Sequence, residues 1–102
     1  MNTILSAVVI LATDINLPRR RGWRCACEFD GIAGADGVRL LGVEVTPAAG
    51  EQILPGEETE VTLRLWARLS EVPKVNTKVL FYEGERLVAS GIVRGTVEIE
   101  KA

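Results

Sequence analysis

Arginine is the side chain with the most recognition chemistry in this sequence. Arg outnumbers Lys nine to three, and four of the arginines fall in one short stretch, Arg19, Arg20, Arg21 and Arg24. A guanidinium carries a planar fork of donors that grips carboxylate or phosphate in pairs and stacks on aromatic rings. The run therefore reads either as a contact for phosphate or an acidic protein, or as a solvated loop. A second constellation is Arg64, Trp66 and Arg68, a tryptophan bracketed two residues away on each side by a cation. Trp and Arg dominate the energetic centres of protein interfaces. The same indole could instead be covered by a loop or an arginine stem, or stack on a nucleobase.

Catalytic chemistry has little to work with. The chain has no His, and no Ser or Cys has a general base at recognisable spacing. Glu57, Glu58 and Glu60 crowd around a turn, where they serve solubility. Cys25 and Cys27 occupy alternate positions of one strand, about 6.5–7 Å apart, which is beyond comfortable disulfide reach. Zinc would need more ligands than two thiolates. Both are expected to be reduced thiols packed as small apolar groups, and neither an enzyme nor a cofactor is expected.

Positioning falls to strands. Residues 60–69 alternate strictly, with Val61, Leu63, Leu65, Ala67 and Leu69 on one face and Thr62, Arg64, Trp66 and Arg68 on the other. Residues 23–29 repeat the pattern, with Trp23, Cys25, Cys27 and Phe29 facing one way. This period of two marks half-buried β-strands. Further strands fit residues 4–11, 38–46, 77–83 and 86–98. Turn chemistry separates them at Asn16-Leu17-Pro18, Asp30-Gly31, Ala35-Asp36-Gly37, Leu54-Pro55-Gly56 and Glu83-Gly84-Glu85. Five or six short antiparallel strands close readily into a barrel, which leaves few exposed edges.

At 102 residues, with 47% apolar and 25% charged side chains, the chain supports one core and one domain, residues 1–102. A net charge of −2 argues against a general binder of nucleic acid or membrane. The apolar run Ile4–Ala12 is shorter than the ~20 residues that span a bilayer. Its basic residues follow it, the wrong order for a secretory leader. A buried strand and a cytoplasmic location are expected.

Two segments resemble a known family. Ile53-Leu54-Pro55-Gly56-Glu57, followed by Val61-Thr62-Leu63-Arg64-Leu65, is similar to the turn and long strand in the last domain of elongation factor Tu. Val79 through Val93, with Glu83-Gly84 before Arg86 and then Ala89-Ser90-Gly91, is similar to that domain's closing hairpin. Gly22-Trp23-Arg24 stands where the family has Gly-aromatic-Arg. The resemblance implies a free-standing, all-β, six-stranded antiparallel barrel of Greek-key type that binds tRNA and neighbouring protein domains. It departs from the family at Cys25-Ala26, at Ala67-Arg68 and at the rewritten loop Leu17–Arg21. No Gly-x-x-x-x-Gly-Lys-Ser/Thr phosphate cradle occurs, so no nucleotide is expected.

The resulting expectation is a non-catalytic protein-interaction module. It would self-associate or bind a protein partner through Arg64, Trp66 and Arg68. The alternative is an RNA-binding accessory that uses Arg19, Arg20, Arg21, Arg24, Glu83 and Gly84, the last two matching the family's RNA-facing hairpin. A plain hairpin turn explains Glu83 and Gly84 equally well.

Overall fold

A computed structural model describes residues 3–99 of the chain, with side chains through residue 97. The two ends of the expected 1–102 domain lie outside the described residues. Eight strands follow in order: β1 (Thr3–Leu11), β2 (Arg19–Arg20), β3 (Trp23–Phe29), β4 (Leu41–Pro47), β5 (Gln52–Ile53), β6 (Glu58–Leu65), β7 (Lys78–Glu83) and β8 (Arg86–Ile99). Six of them close an antiparallel barrel in the order β1-β6-β4-β3-β7-β8. The run β3-β4-β6 is a meander, and β1 returns to lie beside β6, which is the Greek-key arrangement. The short β2 and β5, which the alternation pattern does not reveal, pair with each other outside the barrel.

Alternation along each strand fills the interior. Leu5, Ala7, Val9 and Leu11 of β1 meet Val43 and Val45 of β4, Val61, Leu63 and Leu65 of β6, and Phe29, Val79 and Phe81 in one buried cluster. Ile15, Ile32 and Ile53 join it from outside the six barrel strands. No polar or charged side chain is fully buried among the described residues. Burial of branched aliphatics at about 1.5–3 kcal/mol each therefore dominates the stability. No helix among the described residues is long and apolar enough to cross a membrane.

Two strands are shorter than the alternation suggests. The expected strand 60–69 is a β6 that ends at Leu65. The chain then runs beside the preceding loop instead. Ala35 N donates to Arg68 O at 2.7 Å, and Ser70 N to Ala33 O at 2.9 Å. That loop in turn delays β4, which starts at Leu41 and not at residue 38. In β8 a bulge inserts Val88 between the pairs Phe81↔Ala89 and Tyr82↔Leu87, so consecutive Val88 and Ala89 are both buried.

Candidate interaction surface

The predicted site residues divide into two groups on the barrel. The first surrounds Glu83 at the end of β7. Glu83 and Arg86 pair across a two-residue loop, and Gly84 takes the first loop position with φ of 62°. A positive φ there suits a type II′ hairpin turn and favours glycine. The turn aims Glu83 at β2. Arg19 Nε and Nη2 each donate to a different Glu83 carboxylate oxygen at 2.7 Å. Trp23 Nε1 donates to Oε2 at 2.8 Å. The Arg19 guanidinium lies 5.8 Å from the Trp23 ring centre and also donates to Leu17 O at 2.7 Å.

The clasp is fully matched. Trp23 buries its rings against Phe81, with centroids 6.0 Å apart, and presents its single polar atom to Glu83. The Arg19 hydrogen bonds hold the Glu83 carboxyl below its usual range, and the Trp23 N–H adds to this against the opposing effect of burial. The same Glu83 hydrogen bond raises Arg19. Arg19 and Glu83 thus satisfy each other and tie the accessory β2-β5 sheet to the barrel. Arg21 donates to Pro47 O at 3.2 Å and Gly50 O at 2.9 Å, with Glu51 at 3.5 Å. Arg20 is exposed.

The second group lies on the outer face of β3, β4 and β6. Trp66 follows β6 and is 40% exposed. Its ring rests over Gly42 of β4, where an added Cβ would stand 3.8 Å from the indole. Arg24 of β3 reaches across to it, with the guanidinium 5.4 Å from the ring centre. Arg24 also sits 3.5 Å from Glu44. Strand register then sets Arg24, Glu44 and Arg64 side by side on β3, β4 and β6. Arg64 and Arg68 are both exposed, and each has an interaction of its own.

Sequence reasoning identified Trp66 and its cations but not Glu44 or Gly42. Their signal is register: on β4 they are outward positions opposite Arg24 and Ala26. The expected pairing of Trp66 with a second copy of the same patch would set Arg24, Arg64 and Arg68 against their own likeness, with Glu44 as the acid in that row. Like charges facing each other cost affinity.

Cys25 and Cys27 are free thiols, the first half-buried and the second buried. Burial pushes Cys25 up to about 12, with the Glu83 carboxylate adding and Arg19 opposing. Burial drives Cys27 higher still. At pH 8 the Cys25 thiolate fraction is then about 1 in 10⁴, against about a quarter for a free thiol near 8.5. Native protein should react with an aromatic disulfide reagent at least ~100-fold more slowly than free cysteine, with both thiols released only on unfolding. Rapid native labelling of Cys25 would contradict that burial. Among the described residues, no group of three or more His, Cys, Asp or Glu could hold a metal ion.

Fold and surface together define a small closed antiparallel barrel that presents a tryptophan–arginine patch. In comparisons with known proteins, no family model and no curated protein matches the chain.

Proposed function

We propose that the chain is a non-catalytic protein-interaction module, and that its contact face is the Trp66 patch with Arg24, Arg64 and Arg68. One observation carries this reading. A large indole stays 40% exposed, braced from below by Gly42 and from the side by Arg24. A braced aromatic loses little side-chain freedom on binding, which is the property of interface anchors. Arg24 lies against the indole, Arg64 and Arg68 flank it in the chain, and Glu44 stands between Arg24 and Arg64 in strand register. The fitting partner is therefore a protein segment carrying carboxylates beside an apolar side chain. Kinship with the C-terminal barrel of elongation factor Tu belongs to the same proposal, supported by the order of the motifs and the six-stranded Greek-key barrel. A cytoplasmic setting agrees with two free thiols in a reducing compartment.

Four of the six residues behind the RNA reading are already engaged, Arg20 and Gly84 being the other two. Arg19 and Glu83 hold each other, Arg21 caps loop carbonyls, and Arg24 covers Trp66. Proton–nitrogen correlation spectra separate the two readings. The probe is a short peptide of glutamates interrupted by leucines, and the internal control is Trp23, whose indole N–H is locked to Glu83. The Trp66 indole signal is expected to shift with sub-millimolar to millimolar peptide while Trp23 stays fixed. Trp66→Ala should weaken binding at least tenfold, about 1.4 kcal/mol. No movement at Trp66 would overturn the reading. So would tighter, strongly salt-dependent binding of tRNA that Trp66→Ala leaves unchanged, since that is the signature of phosphate contacts.

A further inference from the structure

The side of the barrel formed by β6, β1, β8 and β7 carries a different surface. A shallow groove of about 470 Å³ runs over it, lined by Val8, Ile10, Leu80 and Ile92 together with Glu58 of β6, Lys78 of β7 and Arg94 of β8. Ile10 and Ile92 are 41% and 42% exposed. Strand register sets one row across four strands: Glu60 on β6, Val8 on β1, Ile92 on β8 and Lys78 on β7. All four are outward positions. The row reads acid, apolar, apolar, base. Neither Glu60 nor Lys78 forms an ion pair among the described residues.

That order is complementary to its own reverse. A two-fold axis lying between the facing surfaces and parallel to the strands turns the row end for end. Glu60 of one copy then meets Lys78 of the other, and Val8 meets Ile92. The contact is repeated by symmetry, so two ion pairs flank an apolar centre. The geometry points to a homodimer formed through this face, a second copy of the chain being the partner whose charges and apolar groups match along this row. Self-complementarity of this kind is what a two-fold interface requires. It contrasts with the Trp66 patch, where the same operation opposes arginines.

Four strands at a spacing of ~4.8 Å and nine residues at ~3.3 Å make a face of about 20 by 30 Å. Two such faces bury a total near the lower limit of specific interfaces, ~1,200 Å². The dimer is accordingly a weak one, with a dissociation constant on the order of tens of micromolar.

Sedimentation equilibrium on the wild-type chain between about 10 μM and 1 mM tests this. Concentration-dependent dimerisation is expected. Glu60→Lys and Lys78→Glu should each weaken it at least tenfold, because each sets like charges together at both ends of the row. An equimolar mixture of the two variants should restore association, since every facing pair is then opposite in sign. Trp66→Ala should leave the dimer intact, which separates this inference from the proposed contact face. A strict monomer at 1 mM overturns the dimer. Single variants that associate like the parent, or a mixture that stays monomeric, overturn the assignment to this face. Both positions are exposed, so folding can be confirmed by circular dichroism in each variant.

Discussion

Alanine at position 91 is expected to destabilise the barrel by about 3 kcal/mol, the upper end of the range for overpacking a core. At 4–8 °C per kcal/mol for a domain of this size, the melting temperature should fall by roughly 12–24 °C. Gly91 lies on β8 where that strand is paired on both sides, with Val9 of β1 and Val79 of β7. Both valines are fully buried. A Cβ on residue 91 would stand 2.6 Å from the Val8 carbonyl oxygen and 3.0 Å from Val9 Cγ2. A flexible side chain could swing away from such a contact, but a main-chain oxygen held in a ladder moves only with its strand. Because β1 also pairs with β6, the displacement must spread through the closed barrel. Gly95 on the same strand supplies the control, since the nearest atom to its Cβ is Ser6 Oγ at 3.5 Å. Gly95→Ala should change stability by no more than about 0.5 kcal/mol in either direction. Urea unfolding of both variants at pH 7 measures the contrast. A Gly91→Ala protein within 2 °C of the parent would show that β8 shifts without cost.

The fold was legible because a strand with one buried face writes its period directly into residue types. Val61, Leu63 and Leu65, and Trp23, Cys27 and Phe29, all point inward as their alternation implies. What failed was local: alternation continues through Ala67 and Leu69, but β6 ends at Leu65 and the chain beyond it bonds to the loop at Ala33 and Ala35, and a pattern of polarity cannot report where such a change of partner falls. The Val88 bulge is hidden for a related reason, since an extra residue breaks the period in a way that resembles noise. At the candidate site, the exposure of Trp66 followed from its phase opposite the core residues. Its sequence neighbours Arg64 and Arg68 suggested the cation, yet the guanidinium resting on the ring is that of Arg24, 42 positions away in the chain. Residues two apart on a strand are separated by nearly 7 Å, whereas side chains from neighbouring strands converge over the sheet. Arg19 and Glu83 illustrate the same limit. Both were candidates for one external ligand, and at 64 positions apart in the chain they are instead each other's partner.

Removal of the Glu83 carboxylate is the second large effect expected. Glu83→Ala leaves the Arg19 guanidinium and the Trp23 N–H without their acceptor, while Trp23 itself stays buried. Truncating one partner of a fully buried ion pair costs about 3–5 kcal/mol. Here the side chains are 19% and 36% exposed, so solvent screening reduces the loss to about 2 kcal/mol, or roughly 8–16 °C in melting temperature. Acid should abolish the difference. The folded carboxyl titrates below the unfolded one, so its contribution is complete above the unfolded value near ~4.3 and is lost as pH falls through the folded value. The gap between parent and Glu83→Ala should therefore be flat from about pH 5.5 to 8 and close progressively below about pH 4. Arg19 stays charged across that range and adds no slope. Arg19→Lys should recover only part of the stability, because an ammonium cannot engage both carboxylate oxygens as the guanidinium fork does. A gap of equal size at pH 3 and pH 7 would mean that Glu83 acts through packing alone. In that case the matched hydrogen bonds of the clasp would contribute nothing net, and the attachment of the β2-β5 sheet would rest on Ile53, the fully buried residue of β5, and on the Leu11–Pro55 contact beside it.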